Sequence, residues 1–130
     1  MEDMSRTIKK FLDNLIDAGN KKSKRFTYDD YDMIGAVFTI VDEQLQRHTI
    51  GIYKNDDYTK DLKMYIFSVS IKASYTYGYH FHSTFTSMNE LKSLVKIVIS
   101  ELQQEANTDS ANSNKVNLYQ EYIAMFEAVL

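Results

Sequence analysis

A chain of 130 residues with formal net charge −3 and 25% charged residues suits one domain with an ordinary buried core. It contains no cysteine, which excludes disulfides, thiolate metal sites and cysteine nucleophiles and fits a reducing compartment. No apolar run approaches the ~20 residues that span a bilayer. The opening "MEDMSRTIKK" lacks an apolar leader segment, so the expectation is a cytoplasmic protein with no membrane partner.

The charge is blocked along the chain. Residues 1–25 carry +3, residues 26–62 carry −5, residues 63–100 carry +3 and residues 101–130 carry −4. A strong nucleic-acid binder is basic overall or along one dominant stripe, and a DNA mimic is far more acidic; neither pattern is present. Proline and tryptophan are absent, and lysine outnumbers arginine twelve to three. That bias is typical of AT-rich coding, as in low-GC bacteria and their phages.

Residues 4–18 place Met4, Ile8, Phe11, Leu12, Leu15 and Ile16 at i, i+4, i+7, i+8 spacing. This predicts a helix with one buried stripe, stopped by Gly19 and Asn20. "KKSKR" follows as a short solvated basic loop, and "YDDYD", 28–32, reads as an acidic loop. The cluster lacks the D-x-D-x-D-G spacing of a calcium loop. Its acidic residues could instead meet a basic protein partner. Residues 33–41, "MIGAVFTIV", are apolar on both faces and predict a central strand. Residues 47–53 alternate, with Ile50 and Ile52 inward. Residues 62–71 put Tyr65, Phe67, Val69 and Ile71 on one face.

Residues 75–86, "YTYGYHFHSTFT", alternate almost strictly. They predict a long fourth strand with Phe81 and Phe85 facing the core and His80 and His82 on the opposite face. The bend before it is placed at 72–74, with Gly78 marking a bulge as the alternative. "SMNE", 87–90, is a capping box that opens a helix over 88–106. After the polar "NTDSANSN", a last helix over 115–129 carries two apolar stripes. One is Val116, Tyr119, Ile123, Phe126 and Leu130; the other is Leu118, Tyr122, Met125 and Val129. A surface helix ordinarily shows one stripe. The second stripe therefore points to a homo-oligomer, a homodimer in its simplest form.

The fold class is α+β: an N-terminal helix, a four-stranded antiparallel meander sheet and two C-terminal helices in a single domain. No catalytic or cofactor-binding signature stands out. His80 and His82 lie roughly 6.5–7 Å apart along a strand, with His48 as a third weak candidate metal ligand. A solvated polar face explains the pair better, so no metal is expected. The ten tyrosines supply amphipathic area suited to protein contact. Partner-binding candidates are Tyr28, Asp29, Asp30, Tyr31, Asp32, Tyr75 and Tyr77. The functional expectation is a small non-enzymatic protein-binding module, such as a phage or mobile-element inhibitor of a host defence system. The alternative is a small-ligand or single-stranded nucleic-acid module that stacks bases on the tyrosines.

Overall fold

The change from a 3.6-residue to a two-residue period, and back, divides the protein into its elements. The computed structural model describes residues 5–20, 25–31, 35–41, 47–55, 64–72, 78–108 and 113–130. The protein is α+β, with three helices and an antiparallel sheet. The elements are α1 (Ser5–Asn20), β1 (Arg25–Tyr31), β2 (Gly35–Val41), β3 (Arg47–Asn55), β4 (Met64–Lys72), β5 (Gly78–Phe85), α2 (Met88–Thr108) and α3 (Ser113–Ala128). Strand order in space equals strand order in sequence, β1-β2-β3-β4-β5, with every neighbour antiparallel.

β1 corrects the expected count of four strands and, over residues 28–31, the reading of 28–32 as a loop. "RFTYDDY" pairs with β2 along its whole length, from Arg25 opposite Val41 to Tyr31 opposite Gly35. Phe26, Thr27, Tyr28 and Tyr31 favour a strand. The two adjacent aspartates hide that preference, and ladder pairing overrides their weak propensity. Asp32, Met33 and Ile34 lie outside the described residues, as do Tyr75 and Tyr77. Among the described residues β5 runs Gly78–Phe85, and residues 75–77 of the expected strand lie outside them. The β4–β5 register is unbroken from Lys72 opposite Gly78 to Tyr65 opposite Phe85, so that stretch holds no bulge. Gly78 is required by close approach: a Cβ there would lie 2.9 Å from the Ile71 carbonyl oxygen.

The core lies between one face of β3, β4 and β5 and the helices. Ile50, Ile52, Tyr65, Phe67, Val69, Ile71, Tyr79 and Phe85 form the sheet side. Phe67 meets Phe126 of α3 edge-on at 6.3 Å and Phe81 at 6.0 Å, while Tyr65 stacks on Phe85 at 5.6 Å. Such ring pairs add to the burial of their area. α1 buries Ile8, Phe11, Leu12 and Leu15. α2 buries Leu91, Val95, Val98, Ile99, Leu102 and Ala106, one stripe of a long helix.

α3 behaves differently. Tyr119, Ile123 and Phe126 of its first stripe are buried, and so are Leu118, Tyr122 and Met125 of its second, with Val129 half-buried. α3 touches both α1 and α2 and reaches the sheet through Phe126 and Tyr122. Most of both stripes is therefore buried within the chain, with Val116 and Val129 half-buried and Leu130 exposed, so the burial of Leu118, Tyr122 and Met125 does not by itself require the second subunit that the two stripes predict.

Candidate functional site

Side chains alternate across a strand, so covering one side of the sheet leaves the other to be accounted for. Three rows cross β3, β4 and β5 on that second face. They are Thr49, Ser70 and His80; Gly51, Ser68 and His82; and Tyr53, Ile66 and Thr84. All but Gly51 are exposed or half-exposed. Gly51 is buried beneath Tyr53, whose ring atoms lie 2.8 Å from where a Cβ would stand. A side chain at 51 would push that ring off the sheet.

None of these nine residues carries a formal charge at neutral pH, in a chain whose composition is 25% charged. The first charge met along β4 is the exposed Lys72, at its end. A face kept only for solubility is ordinarily dressed with lysine and glutamate. The centres of protein interfaces, in contrast, are depleted of charge and enriched in tyrosine.

The imidazoles divide between the two faces. His80 and His82 stand on the open face, and Ser70 Oγ and His80 Nδ1 share a hydrogen at 3.2 Å. That spacing resembles a nucleophile and its base, yet no carboxylate among the described residues bonds the His80 ring to orient it. His48 is fully buried on the core face. Its Nδ1 accepts the Lys72 backbone N–H at 2.9 Å, and its ring meets Tyr122 edge-on at 5.7 Å. An Nδ1 that accepts carries no proton, which makes this a neutral core imidazole. His48 cannot join His80 and His82 through the sheet. Among the described residues, no group of three or more histidines and carboxylates is placed to hold a metal ion.

The remaining sequence candidates are scattered. Tyr28, Asp29, Asp30 and Tyr31 lie in β1, at the sheet edge opposite β5. They pair with Phe38, Val37, Ala36 and Gly35 of β2. Asp32, Tyr75 and Tyr77 fall outside the described residues, so these seven are not brought together on one described surface.

A cleft opens where β5 begins beside the second half of α2. It holds about 590 Å³ and is lined by Gly78, Tyr79, His80, Glu101, Gln104, Glu105 and Thr108. The buried Tyr79 hydroxyl donates to Glu101 Oε1 at 2.6 Å. Glu105 Oε2 lies 3.6 Å from the ammonium of Lys115, a lysine almost wholly buried, which also sits 5.6 Å over the Tyr119 ring. Burial, then the Glu101 hydrogen bond, then the charges of Glu101 and Glu105 raise the Tyr79 phenol well above its ordinary range. Burial, then the Glu105 charge, pushes Tyr119 up to about 12. The Tyr119 hydroxyl is buried with no hydrogen-bond partner among the described residues.

Sequence reasoning missed this cleft because its central bond joins residues 22 positions apart. The available signal was Glu101 and Glu105, which an i, i+4 spacing puts on one helix face. No helix among the described residues is long and apolar enough to cross a membrane. No family model, curated protein or solved structure matches the chain.

Proposed function

We propose that the protein is a non-enzymatic binding module that acts by protein–protein interaction through the open face of β3, β4 and β5. The observation that supports this reading is the absence of formal charge over the three rows, together with the exposure of all of them but Gly51. Half-exposed Tyr53 and Ile66 are neighbours across the ladder and form an amphipathic centre. Ser68, Ser70, His80, His82 and Thr84 surround them with hydroxyls and imidazoles able to donate and accept. An aromatic anchor ringed by polar groups is the usual composition of an interface hot spot. Strands also present such a face rigidly, so little ordering entropy opposes binding.

A role as a phage or mobile-element inhibitor of a host defence protein fits this mode of action, and its support is the AT-rich composition alone. The experiment is affinity capture from host extract with the wild type and with Ile66→Glu combined with Thr84→Glu. The reading expects one stoichiometric protein partner that the wild type retains and the double variant loses. Equal capture by both proteins would reject the face as the interface. Co-purified nucleic acid absorbing at 260 nm, lost in the variant, would replace the partner class.

A further inference from the structure

We propose that β5 is a docking edge, and that a second copy of this chain pairs with it antiparallel about a two-fold axis, joining the two sheets into one. The surface lies at the rim and on the helix side of the sheet, and it does not depend on the open-face reading.

The two rims of the sheet differ. The strand order ends at β1 on one side and at β5 on the other, and among the described residues no strand lies beyond either. An edge strand presents a row of unpaired N–H and C=O groups, which charges, a proline or a bulge ordinarily blunt. β1 carries Arg25, Asp29 and Asp30 within seven residues. β5, "GYHFHSTF", carries no formal charge at neutral pH and no proline over eight residues, and its register with β4 is unbroken. Its tyrosine, phenylalanines and threonine favour extended pairing. A strand of this composition left open is a template for aggregation, and a closed two-fold pairing removes that hazard.

The helix beside β5 is open at the same place. The Thr86 N–H donates to Glu90 Oε2 and the Tyr79 hydroxyl donates to Glu101 Oε1, each at 2.6 Å. These two bonds lay α2 antiparallel along β5. Leu94 and Ile97 fall between Glu90 and Glu101 on the same helix side, because each step along that row is three or four residues. Leu94 is half-buried, and Ile97 is 46% exposed, one of two large apolar side chains so exposed among the described residues. The strand matches the helix. Tyr79 and Phe85 are buried, while Phe81 and Ser83 between them on the same face are half-buried. Phe81, Leu94 and Ile97 thus form an apolar band beside the open ladder.

A second copy satisfies both features with one operation. Only an extended chain can pair a run of ladder groups, so the occupant is a strand. In a two-fold pairing every residue of β5 meets a residue of β5, and a charge near the centre would meet its own kind. β5 has none to oppose. The same axis sets α2 beside its copy on one face of the joined sheet, where Leu94 and Ile97 cover one another.

The test is sedimentation of the full chain over a concentration series, with amide hydrogen exchange by NMR in concentrated and dilute solution. The wild type should pass from monomer to dimer with a dissociation constant on the order of 10 μM, as suits a modest interface. Alternate amides of a free edge strand point to solvent. Those of β5 should exchange about tenfold more slowly in concentrated than in dilute solution. Ser83→Lys and Ile97→Lys should each raise the dissociation constant about tenfold or more, while melting with the wild type when dilute. Both positions lie off the open face, so loss of the dimer and loss of a captured partner are separate results. Should Ser83→Lys unfold, Ile97→Lys carries the comparison. A wild type that is monomeric throughout, variants that dimerise as tightly as the wild type, or β5 amides whose exchange ignores concentration would overturn the proposal. Protection of those amides only when another protein is added would also overturn it, and would give the edge to a strand of that protein.

Discussion

Val69 and Ser70 are neighbours in β4, yet Val69 is 1% exposed beneath the helices while Ser70 shares a hydrogen with His80 on the open face. The same division runs through β3 and β5. Ile50, Phe67 and Phe85 are sealed; Thr49, Ser68 and Thr84 are not. One face is held by packing, where each methylene matters. The other is free of that constraint, and its composition can follow contact with something else. Alternation at period two lets one set of strands serve both ends.

The sharpest break of this comparison would come from α3. Tyr122→Ser combined with Met125→Ser removes two side chains from the sealed side, and the expected result is loss of cooperative unfolding, several kcal/mol in all. Sedimentation and circular dichroism would read it. A folded variant that sediments lighter than the wild type would instead make the second α3 stripe a subunit interface.

Phe67→Ala comes next. Phe67 is fully buried and joins Phe81 on the neighbouring strand to Phe126 on α3. The loss should be about 3–5 kcal/mol by urea denaturation, against a typical total stability of ~5–15 kcal/mol. A change near zero would place α3 off the sheet.

Alkaline pH probes the border between the core and the cleft. The Tyr79 and Tyr119 phenols keep their protons in the fold above the ordinary value of 10.0, Tyr119 up to about 12. The unfolded chain releases those protons first. Stability from these groups is therefore complete below pH 10 and falls as the pH rises from 10 toward 12. Tyr79→Phe should flatten that fall in melting temperature, and an unchanged slope would remove Tyr79 from the account.

The helices and the inner strands were legible because their apolar spacings are long and regular. α1 appears from its stripe, β4 from Tyr65, Phe67, Val69 and Ile71, and α2 from Ser87 and Glu90. Ser87 Oγ accepts the Glu90 N–H at 3.2 Å. Glu90 reaches back one residue further than a simple capping box, accepting the Thr86 N–H at 2.6 Å. β1 was illegible because Asp29 and Asp30 interrupt a strand whose support comes from its partner β2. The cover of α3 was illegible because nothing in its own stripes says that α1 and α2 flank it. The cleft depends on Tyr79 meeting Glu101, and period counting within one element cannot see a contact between two.

The central claim is that the second face of β3, β4 and β5 is open. The direct measurement is the melting temperature of His82→Glu beside that of Val69→Glu, residues on adjoining strands and opposite faces. His82→Glu should melt within about 0.5 kcal/mol of the wild type, as exposed substitutions do. Val69→Glu should lose its cooperative transition, because it buries a charge without a partner. Equal and large losses in both variants would mean that the face bearing His82 is covered, and would contradict the assignment of that face to binding.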